Sequence, residues 1–116
     1  MKYELIELPV KTVRGYKGTI EFEGSPLGVA TGQTIGFGVG EHAVEIYQVR
    51  EGGYLTYVFY SGHKGLQLAE LVRTDGLNFH AIRSALKESG IYPGPHFSRA
   101  VYHSLDTLQF LEKVSK

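Results

Sequence analysis

The sequence of 116 residues contains no cysteine. That excludes a disulfide framework, a thiolate nucleophile and any cysteine-ligated zinc or iron–sulfur centre, so stability has to come from packing and the cytoplasm is the expected compartment. An excess of charge of either sign is also lacking. Twelve Lys and Arg stand against twelve Asp and Glu, which leaves no net field to draw in nucleic-acid phosphates or an anionic bilayer from a distance. No apolar run approaches the roughly eighteen residues that a membrane-spanning helix needs, because charge, Gly or Pro interrupts each one. Met1 to Val10 carries Glu4 and Glu7 against Lys2, unlike the basic-then-apolar order of a secretory signal. Internal repeats and low-complexity linkers are lacking too. A chain of this length supports one hydrophobic core rather than two, so residues 1–116 read as a single globular domain outside the membrane.

Glycine is scarce in the second half: twelve of the fifteen fall before residue 66, and only Gly76, Gly90 and Gly94 follow. Strands joined by tight turns use glycine and helix interiors exclude it, so a sheet is expected first and helices afterwards. Lys17 to Glu23 alternates as a half-buried strand, with Ile20 and Phe22 on one face. Tyr3 to Leu8 reads as a strand ended by Pro9, and Leu27 to Thr31 as a short strand after a Gly24-Ser25-Pro26 turn. Ala43 to Val49 and Tyr54 to Tyr60 form the clearest element, a hairpin about Gly52-Gly53. With those glycines central, Gln48 would face Tyr57, Ile46 would face Phe59 and Tyr47 would face Val58. Both hairpin faces then carry apolar surface.

Leu66 to Arg73 fits a strand better than a helix. Leu77 to Ser89 predicts a helix with Phe79, Ile82 and Leu86 on one stripe, Asp75 or Asn78 as its cap and Gly90 beyond its end. Pro93 and Pro95 make Ile91 to Phe97 a turn. A short strand from Arg99 to His103 is expected next, then a helix capped by Ser104 with Leu105, Leu108, Leu111 and Val114 on its buried face. The fold class is therefore α+β: a twisted antiparallel sheet of about five strands with two helices packed on one face.

Gly38-x-Gly40-x-x-Ala43 formally matches a dinucleotide-binding pattern, but strand alternation follows it where a helix is required. The glycine-rich stretch around Gly36, Phe37, Gly38 and Gly40 reads as a long hairpin connection, or more sharply as a flap whose glycines hinge Phe37 over a pocket. Five histidines invite a site, yet none pair at helical ligand spacing and none belong to a His-Glu-x-x-His pattern. His80 belongs on a helix flank. His42 and His63 flank the hairpin strands, and with Glu41 they could hold a cation or share a proton. His96 and Arg99 bracket the residues after the double proline and could hold an anion.

No Gly-x-Ser-x-Gly elbow is present, and the two aspartates, Asp75 and Asp106, sit at helix ends, so a serine triad is not signalled. Glu21 and Glu23 share the polar face of their strand and read as solvated. The hairpin aromatics could stack bases, but too few cations surround them, which disfavours nucleic acid. No motif calls for a cofactor. The composition leaves two functional readings. The first is a protein-interaction domain, self-associating as a homodimer or binding a protein partner through Tyr47, Val58 and Tyr60 on the hairpin's uncovered face. The second is a small-ligand or metal-dependent enzyme or binder built from His42, His63 and Glu41 under the glycine flap.

Overall fold

A hairpin that is apolar on both faces needs cover on both, and the chain supplies it by rolling its sheet. The computed structural model describes residues 2–12, 14–34, 40–62, 65–94 and 96–114, with side chains described for all of these except 33–34 and 65–67. Five antiparallel strands run in chain order, β1 (Glu4–Lys11), β2 (Lys17–Thr34), β3 (Gly40–Val49), β4 (Tyr54–Gly62) and β5 (Gly65–Thr74). They close into a barrel through the Lys11–Ala69 pairing of β1 with β5. Two helices follow, α1 (Phe79–Glu88) and α2 (Phe97–Val114). None of the described helices is long and apolar enough to cross a membrane.

Alternation along the strands sorts their side chains into two cores. Tyr47, Val49, Leu55, Tyr57 and Ala69 point into the barrel and pack with Leu8. Val44, Ile46, Val58 and Val72 point out of it and are covered by Ile82 and Leu86 of α1 and by Phe97, Ala100 and Val101 of α2. The expected sheet with helices on one face is present. Its second face is covered by the sheet itself.

Several local expectations change. The hairpin turn spends Arg50 and Glu51 as well as glycine: Gly52 N–H donates to Val49 O at 2.9 Å, and Gly52 and Gly53 adopt φ of +114° and +79°. Gln48 consequently faces Tyr54 and Tyr47 faces Leu55. The slip relative to the expected register is odd, so it turns β4 over against β3 and parts Tyr47 from Val58. Gly24-Ser25-Pro26 makes no turn. β2 runs through it and absorbs the proline in a bulge between Pro26 and Gly28. Pro9 lies within β1, on an edge that meets β5 at a single register pair, and its carbonyl accepts the Tyr57 hydroxyl at 2.7 Å.

α1 begins as expected, with Asn78 Oδ1 accepting the Ala81 N–H at 2.8 Å, and 65–74 is a strand. Arg99 to His103 is not a strand. It is the opening of α2, which starts at Phe97 because Phe97, Ala100, Val101 and Ser104 recur at helical spacing and are buried together. Ser104 therefore caps nothing. It lies buried inside the helix and returns its hydroxyl to Ala100 O at 2.8 Å.

Candidate functional site

β1 covers β2 only as far as Gly24. Beyond the bulge, the described part of β2 has β3 on one side and no strand on the other. An uncovered edge is a liability, because its N–H and C=O groups can pair with another chain. Here α2 lies along it. Arg99 donates to Thr31 O at 3.0 Å, and His103 Nδ1 sits 3.3 Å from both the N and the O of Val29.

Two glycines set how close α2 comes. A Cβ on Gly28 would overlap Ser104 Oγ and lie 2.8 Å from Ala100 O and Ser104 N; one on Gly32 would overlap the His96 ring. Gly28 to Gly32 spans about 13 Å of strand and His96 to Ser104 about 12 Å of helix, so the two contacts stay in step.

Where the bulge lifts β2 from the barrel, a cavity of about 460 Å³ opens. Pro26, Leu27, Gly28 and Val29 of β2 form one wall, Glu45 and Tyr47 of β3 the second, and His103 and Thr107 of α2 the third. Tyr47 lies two residues from Glu45 on one strand face and donates its hydroxyl to Glu45 Oε1. Its ring packs edge-on to Phe22 at 5.3 Å. Burial, then the hydrogen bond and charge of Glu45, push the Tyr47 phenol well above its ordinary range, so it remains a neutral donor. Burial, then the Glu45 charge, push Tyr57 up to about 12. Thr107 donates to His103 O at 3.0 Å, so its hydroxyl ties back to the helix. The cavity thus joins apolar walls to one carboxylate and one imidazole.

The histidines expected to form a site are distributed differently. His42 is fully buried on the helix-facing side of β3, packed against Tyr60 at 4.5 Å and stacked on His96 at 5.4 Å between ring centres. Glu41 precedes it in the strand, so its side chain takes the other face, and it is exposed. His63, Gly36, Phe37 and Gly38 lie outside the described residues, and Gly40 opens β3. Among the described residues, no group of three or more His, Asp or Glu side chains is placed to hold a metal. His96 and Arg99 do meet, but the guanidinium is spent on His96 Nδ1 and Thr31 O.

The proposed interface residues are not an outer surface. Tyr47 faces the barrel interior, Val58 lies beneath the helices, and Tyr60 is partly buried with its hydroxyl donating to Tyr92 O at 3.2 Å. Glu45 and His103, which line the cavity, were not singled out by pattern. The available signal for Glu45 is a charge set among the apolar residues Ala43, Val44, Ile46 and Tyr47, and His103 falls in the segment that reads as a strand.

A second cavity, of about 480 Å³, lies at the hairpin end of the barrel among Leu5, Phe22, Glu21, Glu23, Glu51 and Arg73. Two of its charges are already engaged, Glu23 with Arg50 at 3.0 Å and Arg73 with Gly52 O at 2.6 Å. No family model, curated protein or solved structure matches the chain.

Proposed function

We propose that the domain binds a small organic cation, an amine or guanidine carried on an apolar body, in the cavity between the β2 bulge, β3 and α2. The observation that supports this reading is Glu45, a half-buried carboxylate between apolar walls to which, among the described residues, only Tyr47 is bonded. A carboxylate withdrawn from water gains from a cationic partner. The phenol occupies one oxygen, which leaves the other for an ammonium or guanidinium N–H, the stronger kind of hydrogen bond. His103 rests its Nδ1 on the Val29 backbone, so Nε2 is the nitrogen that can meet a ligand. Apolar atoms of Pro26, Leu27 and Val29 would hold the ligand body. A volume of about 460 Å³ suits a single ring or short chain.

Titration calorimetry with phenethylamine and with 3-phenylpropionate, on the wild-type chain and on Glu45→Gln, tests this. The amine should bind, the similarly shaped anion should not, and the variant should lose about tenfold to a hundredfold in affinity, the worth of a hydrogen bond to a charged group. Equal binding of amine and anion, or an unchanged affinity in Glu45→Gln, would overturn the reading.

A further inference from the structure

The contact that fastens the start of α2 to the sheet is built from two imidazoles. His42 has no exposed surface, and neither of its ring nitrogens closes a hydrogen bond of normal geometry. His96, immediately before α2, is stacked on it and buries its Nε2 without a partner. Arg99 donates to His96 Nδ1, which assigns the ring proton to Nε2. Both rings are packed against glycine backbone: a Cβ on Gly94 would overlap the His42 ring, and one on Gly32 the His96 ring. Such packing suits flat neutral rings and leaves a charged one without solvent.

The ionisable groups facing His42 are Tyr60 from β4 and His96 from the α2 side, with Arg99 behind His96 and the Pro93–Gly94 backbone alongside. Among the described residues, no carboxylate acts on it appreciably. Burial first and His96 second hold the His42 pKa down to about 4, against a smaller opposing pull from the Pro93 carbonyl. A proton on His42 would therefore be a buried cation beside a second imidazole and a guanidinium.

We propose that His42 and His96 form an acid-sensitive latch that pins the first turn of α2 to β2 and β3, and that acidification opens it. α2 also carries His103 and Thr107 into the ligand cavity, so opening the latch dismantles that wall and releases the ligand. This last consequence rests on the cation-binding reading; the latch itself does not.

Amide hydrogen exchange of the full chain between pH 7.5 and 5, corrected for intrinsic rates, tests the latch. An imidazole with an ordinary value of 6.5 in the open form and about 4 in the closed form weakens closure by roughly thirtyfold at pH 5. Protection at Ala100 and Val101 should fall accordingly. His42→Leu, which keeps the site apolar and cannot titrate, should abolish the step; should that variant fail to fold, the His42 titration followed by NMR in the wild type decides instead. Flat protection at Ala100 and Val101, an unchanged step in His42→Leu, or a His42 titration near 6.5 would overturn the latch. Phenethylamine as the probe keeps the two proposals apart. A pH step in exchange without amine binding at pH 7.5 refutes the pocket and supports the latch, whereas amine binding with flat exchange refutes the latch and supports the pocket.

Discussion

Gly28 and Gly32 offer the sharpest test of how α2 sits on the sheet, because an added methyl group meets different atoms at the two positions. In Gly28→Ala the new Cβ overlaps Ser104 Oγ, which a smaller side chain could relieve, but it also lies 2.8 Å from Ala100 O and Ser104 N, which are backbone. In Gly32→Ala all three close atoms belong to the His96 ring. Neither glycine has positive φ, so backbone strain does not confuse the comparison. Overpacking of this kind costs about 1–3 kcal/mol, and the loss of unfolded-state freedom on replacing Gly by Ala offsets about 0.4–1 kcal/mol. Each single variant should therefore lose about 1–2 kcal/mol, or roughly 4–8 °C in melting temperature for a domain of this size.

The double variants should then diverge. Gly32→Ala with His96→Ala removes the obstructing ring and should be more stable than the sum of the two single effects by about 1 kcal/mol or more. Gly28→Ala with Ser104→Ala leaves both backbone contacts in place and should recover less than half of its loss. Urea and thermal unfolding of the four single and two double variants followed by circular dichroism, with unchanged m-values, give the six differences. Equal rescue of both pairs, or a Gly28→Ala chain as stable as wild type, would refute the close seating of α2 along the β2 edge.

Acid should weaken the whole fold through His42. Between its ordinary value of 6.5 and about 4 in the fold, the unfolded chain binds a proton that the native chain refuses. Stability therefore falls as pH drops through that window, is level below it, and loses about 3 kcal/mol in all; pH-dependent melts of wild type and His42→Leu should show that slope and its loss. Truncations should follow burial rather than hydrophobicity. Ile82→Ala, at a position with no exposed surface, should cost about 2–5 kcal/mol in urea unfolding, whereas Phe110→Ala, at 63% exposure, should stay within about 0.5 kcal/mol.

Local pattern made much of the fold readable. Alternating apolar residues announced β3 and β4, and the Asn78 cap and the Ile82–Leu86 spacing announced α1, whereas the fall in glycine after residue 65 comes one strand too early, since β5 follows it. The errors came where a local signal competed with a distant one. Pro26 looks like a turn former until β3 is present to hold a bulge, and Arg99 to His103 alternates well enough for a strand until Ala100 and Ser104 are needed against Gly28. The site was harder to read than the fold. His42 and His96 are far apart in sequence, and Glu45 and His103 lie on a strand and a helix that meet only in the folded chain.

The sequence by itself determined the α+β class, a sheet ahead of the helices and the need for the hairpin to bury both faces. These follow from residue type and short-range periodicity, which act within a few positions of the chain. Tertiary structure decided how that need was met. Closing β1 onto β5 turned Tyr47 from a surface candidate into a barrel wall, and seating α2 on the open edge of β2 brought His96 onto His42 and His103 opposite Glu45. Closure and docking are choices among distant surfaces of similar apolarity. They are settled by shape, here by whether two glycines let a helix approach a strand edge, and shape exists only once the chain has folded.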